Sequence, residues 1–179
     1  MQVKLPPTLW KRCKGANIMT HEFGLFLIRY LHVLSGVMWI GILWYFNFVQ
    51  IPSMPKIPDE QKPAISKVIA PEALFWFRWA ALSTIVFGLL LAWMNGYLVE
   101  ALMLQQPDIG FGMWFGLIMA FNVWFIIWPN QKIALGIVEA APEAKPKSAR
   151  RAMLFSRTNT LLSIPMLFSM ISGQNSVGL

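Results

Sequence analysis

His32 is the residue most able to do chemistry. It lies inside the first long apolar run, in Arg29-Tyr30-Leu31-His32-Val33-Leu34-Ser35-Gly36-Val37-Met38-Trp39-Ile40-Gly41. An ionisable side chain inside a membrane is costly and calls for a partner or a function. At roughly 100° per residue, His32, Ser35, Gly36, Trp39 and Leu43 share one helix face, with Arg29 one turn before. Small residues beside an imidazole leave room for a flat ligand, and neutral imidazole is the commonest metal ligand. Two readings fit. His32 is an axial ligand to haem iron, or it hydrogen-bonds to a neighbouring helix.

As a haem ligand it would be one of two axial donors. No second histidine lies within an apolar run, and His21 reads as a solvated flank residue. The sixth position would then be empty, filled by methionine, or supplied by another subunit. His/Met ligation is one known arrangement. Met38, Met94, Met113, Met119, Met166 and Met170 are the candidates, although methionine in an apolar chain mostly fills packing gaps. Arg29 and Arg78 could meet haem propionates near one membrane face, or simply reach headgroups. Other catalytic patterns are missing. Glu22, Glu72, Glu100 and Asp108 fall at the ends of apolar runs, which argues against a proton relay. No phosphate-binding glycine loop, HExxH motif or clustered Cys/His pattern occurs. The single Cys13 excludes an internal disulfide and a c-type haem attachment motif.

The elements that would position these residues are membrane helices. The chain has 179 residues, 56% hydrophobic, and a mean hydropathy of +0.54, values seldom met in soluble domains of this size. We expect an all-α bundle of four transmembrane helices over 23–49, 73–94, 109–128 and 153–172, making one domain from 22 to 179 after a basic interfacial tail over 1–21. Pro52, Pro55 and Pro58 should stop the first span. Pro71-Glu72 opens the second, as a first-turn proline and an acid at the positive dipole end should, and Asn95-Gly96 closes it. Pro129-Asn130 should end the third. The fourth carries Arg157, Thr158, Asn159 and Thr160 in its first third and Pro165 in its middle. It is expected to be buried within the bundle, with a re-entrant or interfacial segment as the alternative. Its residues Asn159, Ser163, Met166 and Met170 share a face. That face either makes interhelical hydrogen bonds or lines the same cavity as His32. Ser83, Thr84 and Asn122 are the polar residues of the middle spans. The tryptophans fall mostly near span ends, as an aromatic belt requires. The net charge of +7 fits basic loops facing anionic lipid better than nucleic acid.

Two stretches carry a family resemblance: Arg29 to Gly41, quoted above, and Ser156-Arg157-Thr158-Asn159-Thr160-Leu161-Leu162-Ser163-Ile164-Pro165-Met166-Leu167-Phe168-Ser169-Met170-Ile171-Ser172. With Ala70-Pro71-Glu72-Ala73-Leu74-Phe75-Trp76-Phe77-Arg78-Trp79, they resemble the N-terminal membrane domain of the cytochrome c-linked membrane urate oxidase (urate hydroxylase). The resemblance implies that His32 matters most, with Arg29, Trp39, Arg78 and Asn159 at matching positions. Those enzymes carry a cytochrome c domain after the membrane part. Residues 1–179 contain no Cys-x-x-Cys-His, and Gly173-Gln174-Asn175-Ser176 stands where relatives often have a histidine.

The expected function is therefore a small membrane redox protein that binds haem b through His32, with Arg29, Ser35, Gly36, Trp39, Arg78 and Asn159 around the cofactor. It would act as a subunit beside other membrane proteins, with a cytochrome c as a candidate partner. The alternatives are a cofactor-free structural accessory subunit of a respiratory, photosynthetic or monooxygenase complex, and a urate-oxidase-like membrane enzyme served by a separate cytochrome c. Loop charge gives the orientation. Lys56, Lys62 and Lys67 share a side with Lys132, Lys145, Lys147, Arg150 and Arg151. The opposite side has Lys4, Lys11, Arg12 and Lys14 but no basic residue in 97–108. The bias puts the two basic loops in the cytoplasm and both termini in the periplasm of an inner-membrane protein. A membrane-impermeant thiol reagent should then label Cys13 from the periplasmic side. Labelling only from the cytoplasmic side would reverse the orientation.

Overall fold

A computed structural model describes the backbone of residues 7–175 and the side chains of 19–173, so the side chain of Cys13 lies outside the described residues. All regular structure there is helical. The long helices are α1 (Pro7–Trp44), α2 (Ala70–Met94), α4 (Pro107–Phe121) and α6 (Ala144–Asn175), with short α3 (Leu98–Leu102) and α5 (Trp128–Ala134) between them. Three continuous helical stretches, Met19–Lys56, Lys62–Met94 and Pro107–Ala134, are long and apolar enough to cross a membrane. The stretch containing α6 falls short of that apolarity, with Arg157, Asn159 and Thr160 in its first half.

Three expected boundaries are corrected. Helix continues past Pro52, begins well before Pro71, and runs through Pro129. Each of these prolines follows a π-turn by two residues: Tyr45–Gln50 before Pro52, Ile65–Ile69 before Pro71, and Asn122–Ile127 before Pro129. A proline in an α-helix lacks the N–H for the carbonyl four residues back, and its ring strikes that carbonyl. The wider π-turn redirects its carbonyls to donors five residues on. The proline then fits without ending the helix. The first stretch ends at Lys56, where Ile57 turns extended before Pro58, so the proline run does stop it, and glycines make the next stops. Gly96 (φ +79°) closes α2 as expected, and Gly136 (φ +72°) closes α5. Both take the left-handed backbone that glycine adopts without strain.

The chain forms two antiparallel hairpins. α1 packs along α2, with Phe46 edge-on to Phe77 at 6.1 Å. α4 packs along α6. At one end the hairpins are tied together by side chains. The Trp44 indole N–H donates to Ser163 Oγ at 2.9 Å, and Asn47 Nδ2 donates to Ser156 Oγ at 2.8 Å. Within the second hairpin, Asn122 Nδ2 donates to Asn159 Oδ1 at 2.8 Å, and Asn159 Nδ2 donates to the Met119 carbonyl at 2.9 Å. The core around these ties is apolar: Trp39, Leu43, Phe77, Met119 and Val123.

α6 is oriented inside out by the standards of a protein in water. Ser156, Asn159, Ser163, Ser169 and Ser172 are buried, while Leu161 (70% exposed), Ile164, Phe168 and Ile171 face outward. The expectation that this segment is enclosed by the bundle is therefore corrected: one face packs on α4 and α5, and the other is open. Its inner face must be polar because it meets Asn47, Asn122 and Trp44.

Asn159 and Asn122 satisfy each other at full burial. Asn159→Leu strands the Asn122 amide, so unfolding in mixed micelles should show a loss of ~1–3 kcal/mol. The Asn122→Leu/Asn159→Leu pair should lose less than the two single losses added. Strict additivity would show that the pair does not interact energetically.

Candidate functional site

His32 is fixed by the first hairpin. Its Nδ1 lies 2.9 Å from the Thr84 carbonyl of α2. A backbone carbonyl only accepts, so Nδ1 carries the proton and donates. The Thr84 hydroxyl turns away and donates to the Ala80 carbonyl at 2.7 Å. Gly88, one turn beyond Thr84, faces the edge of the ring. A Cβ there would stand 2.8 Å from Cε1 and 3.0 Å from Nδ1. The imidazole thus occupies the space that a side chain at 88 would fill. Nε2 accepts no hydrogen bond from the described residues and keeps its lone pair. This is the tautomer that metal-bound histidines adopt, with the other ring nitrogen held by a carbonyl.

His32 lines a cavity of about 550 Å³ between the hairpins. Gly36, Trp39 and Ile40 of α1 line it beside His32, and Thr84 and Gly88 line it from α2. The opposite wall is Gly112, Met113 and Gly116 of α4 with Met166 and Met170 of α6. The volume falls in the range of sites for small ligands and cofactors. Gly112 makes room for Met170, whose Cε would lie 3.0 Å from a Cβ at 112. The Trp39 indole N–H is buried without a partner. Tyr97 lines the outer end. Burial pushes its phenol pKa up, and the nearby positive charge of Arg29 opposes that rise. A second cavity, about 300 Å³, lies near Gln50 and Gln131 at the tied end. No titratable side chain lines it, so it is the weaker candidate for chemistry.

The residues expected around the cofactor separate into three places. His32, Gly36 and Trp39 line the main cavity. Arg29 is exposed and electrostatically linked to Tyr97 at the outer end, and Ser35 is not in the wall. Arg78 and Asn159 are elsewhere. Arg78 stacks its guanidinium 3.3 Å above the Trp128 ring, toward the tied end. It cannot share a membrane face with Arg29, because Thr84 and Gly88, which hold His32, lie between them along α2. Asn159 is used up by Asn122 and Met119. The α6 face divides likewise: Asn159 and Ser163 tie helices together, and Met166 and Met170 reach the cavity. Among the methionine candidates, Met113, Met166 and Met170 line it. Met119 is core, and Met38 points outward.

Sequence reasoning missed Thr84, Gly88, Gly112 and Gly116 as site residues. The signal was present as two small-residue pairs spaced by four, Thr84/Gly88 and Gly112/Gly116, the spacing at which helices approach closely in membranes.

Among the described residues no group of three His, Cys, Asp or Glu side chains could hold a bare metal ion. The donor set is one imidazole with thioethers nearby. Such a set suits a metal that brings most of its own ligands.

Gly88→Ala should push the ring off the Thr84 carbonyl and cost ~1–3 kcal/mol, as overpacking does. In a His32→Ala background the same change should cost almost nothing, because the space is vacant. Equal costs in both backgrounds would mean that the ring and Gly88 do not meet.

With that geometry established, residues 108–178 match the family model described as urate oxidase N-terminal. The expected resemblance holds over those residues, which supply α4, α5 and α6 and so the glycine and methionine wall. His32 and the α1–α2 hairpin precede the matched part. No curated protein and no solved structure matches the chain.

Proposed function

We propose that this chain is a four-span membrane protein that binds haem b through His32 Nε2 and serves as an electron-transferring subunit of a larger membrane assembly. The observation that carries the reading is the pinned imidazole. Nδ1–H is held by Thr84, Nε2 is left with its lone pair, and the cavity walls are flattened by glycines from three helices.

The membrane reading draws on the whole surface. Trp76 and Trp79 stand near one end of α2 and Trp93 near the other, about 25 Å apart at 1.5 Å per residue. That is close to the ~30 Å hydrocarbon core, so the two ends form belts. Between them Phe75, Val86, Phe121, Phe125, Leu161 and Ile164 are exposed. In lipid this costs nothing, and the inverted α6 becomes a sensible fourth span. Its Arg157 lies near the level of the Trp124 belt and can reach the headgroups.

Haem suits the donor set because the porphyrin supplies four nitrogens and the protein need supply only axial ones. When bound, its iron carries one electron by alternating between ferrous and ferric states. His32 would hold the iron, and Met113, Met166 and Met170, which line the same cavity, would be the further candidate ligands. Arg29 and Tyr97, at the outer end, would receive the propionates as a cation and a hydroxyl donor. Gly36 and Gly116 would leave room for the macrocycle, and the apolar walls would exclude water. The orientation that follows from loop charge puts this outer end at the periplasmic face.

The family match favours a second reading, a urate-oxidase-like membrane enzyme passing electrons to a separate cytochrome c. It uses the same cavity and is distinguished by urate-dependent reduction of the bound cofactor.

The purified protein from haem-replete cells should show a Soret band. His32→Ala should abolish that band while membrane insertion persists. A wild-type protein without Soret absorption, or a variant with an unchanged spectrum, would refute haem binding at His32.

A further inference from the structure

We infer that Arg78, Trp128 and Lys132 form a binding site for the phosphate of an anionic lipid headgroup at the tied end of the bundle. The inference rests on the membrane-spanning reading and is independent of haem.

Arg78 Cζ lies 3.3 Å from the centroid of the Trp128 indole, and Lys132 Nζ lies 5.6 Å from the same centroid. Two cations thus share one ring. The ring's negative face attracts each of them, but it does not cancel their mutual repulsion. No carboxylate pairs with either among the described residues. Glu72, the acid nearest to Arg78 along the chain, instead accepts from the Trp76 indole N–H at 3.2 Å. Arg78 Nη1 is buried with no hydrogen-bond partner. A guanidinium donor kept from water and left unpaired is expensive, and a phosphate oxygen would meet that need. Trp124, one turn before Trp128, adds a second buried indole N–H without a partner. Its ring packs edge-on to Trp79, the neighbour of Arg78, at 5.8 Å. An unpartnered guanidinium donor thus lies beside a second positive charge on the same ring.

The source of the phosphate follows from the surroundings. Trp76 and Trp79 beside Arg78 are about half exposed, and they belong to the belt that marks the headgroup level. The site opens sideways among aromatic rings, where an acyl chain can lie. It also sits on the side of Lys56, Lys62, Lys67, Lys145, Lys147, Arg150 and Arg151, whose summed charge concentrates anionic lipid there.

Delipidated protein in dodecylmaltoside, titrated with dioctanoylphosphatidylglycerol and followed by native mass spectrometry, tests the site. Arg78→Gln/Lys132→Gln should weaken binding roughly thirtyfold, at about 1 kcal/mol for each basic residue near the headgroups. Lys67→Gln, at a lysine outside the site, should leave it unchanged. Dioctanoylglycerol, which lacks the phosphate, should not compete. If the double variant does not fold, Lys132→Gln alone should weaken binding about fivefold. Unchanged binding in the site variants, or an equal loss in Lys67→Gln, would overturn the site. Sodium phosphate competing at the same concentration as the lipid would overturn the lipid and make a soluble anion the ligand.

Discussion

Polar groups on membrane helices have no water to fall back on, and the rest of this structure depends on how α6 meets that constraint. A buried hydroxyl or amide in hydrocarbon is costly unless another helix answers it. Ser156, Asn159 and Ser163 are answered by Asn47, Asn122 with the Met119 carbonyl, and Trp44. Two of these partners come from the helical stretch Met19–Lys56 and two from Pro107–Ala134. The polar stripe therefore fixes the rotation of α6 and the register of the second hairpin against the first. Individually such bonds are weak in membranes, ~0.6 kcal/mol on average. Their effect is geometric, since every alternative rotation of α6 would leave several of them unmade.

The same stripe explains why the cavity lies where it does. Beyond Ser163 the residues that α6 turns toward the cavity are Met166 and Met170, which have no directional bond to offer. The facing residues become Gly112 and Gly116 on α4 and Gly36 on α1. Small side chains normally draw helices together. Here His32 fills the notch at Gly88, and Met170 fills the notch at Gly112. Within each hairpin the helices are propped apart at this end, and the hairpins are tied to each other at the other end. The imidazole is thus both a wall of the cavity and the prop within the first hairpin.

Much of this was legible in the sequence because the signals were local and periodic. The His32 face, the α6 face and the glycine cap at 96 follow directly from helical spacing. The family resemblance was legible too, most specifically in the α6 motif, and the matched residues 108–178 contain it. The proline stops were misread because a proline signals a helix end only when the turn before it is α. Three π-turns that absorb Pro52, Pro71 and Pro129 leave no obvious mark in composition. Arg78 was misplaced for another reason. Its position near the start of a span was clear, but its partner, Trp128, is fifty residues away, and only packing brings them together. Asn159 was placed on the correct face, yet that face serves two purposes along its length, and spacing alone does not show where one gives way to the other.

The two halves of the bundle also make different demands on whatever surrounds them. At the tied end, hydrogen bonds between helices are largely complete, and the unmet donors of Arg78 and Trp124 lie near the headgroup level, where phosphate is available. At the propped end, the unmet groups facing the cavity are the Nε2 lone pair of His32 and the indole N–H of Trp39, and the Ser172 hydroxyl is also buried without a partner. A lipid acyl chain entering between the hairpins would cover the isoleucine, leucine and methionine walls but would leave both polar atoms unanswered. Water could reach them only by crossing apolar surface. A ligand with an apolar body and a Lewis-acidic centre would satisfy the imidazole and the walls together. On the reading proposed above, a metallated macrocycle would supply that combination.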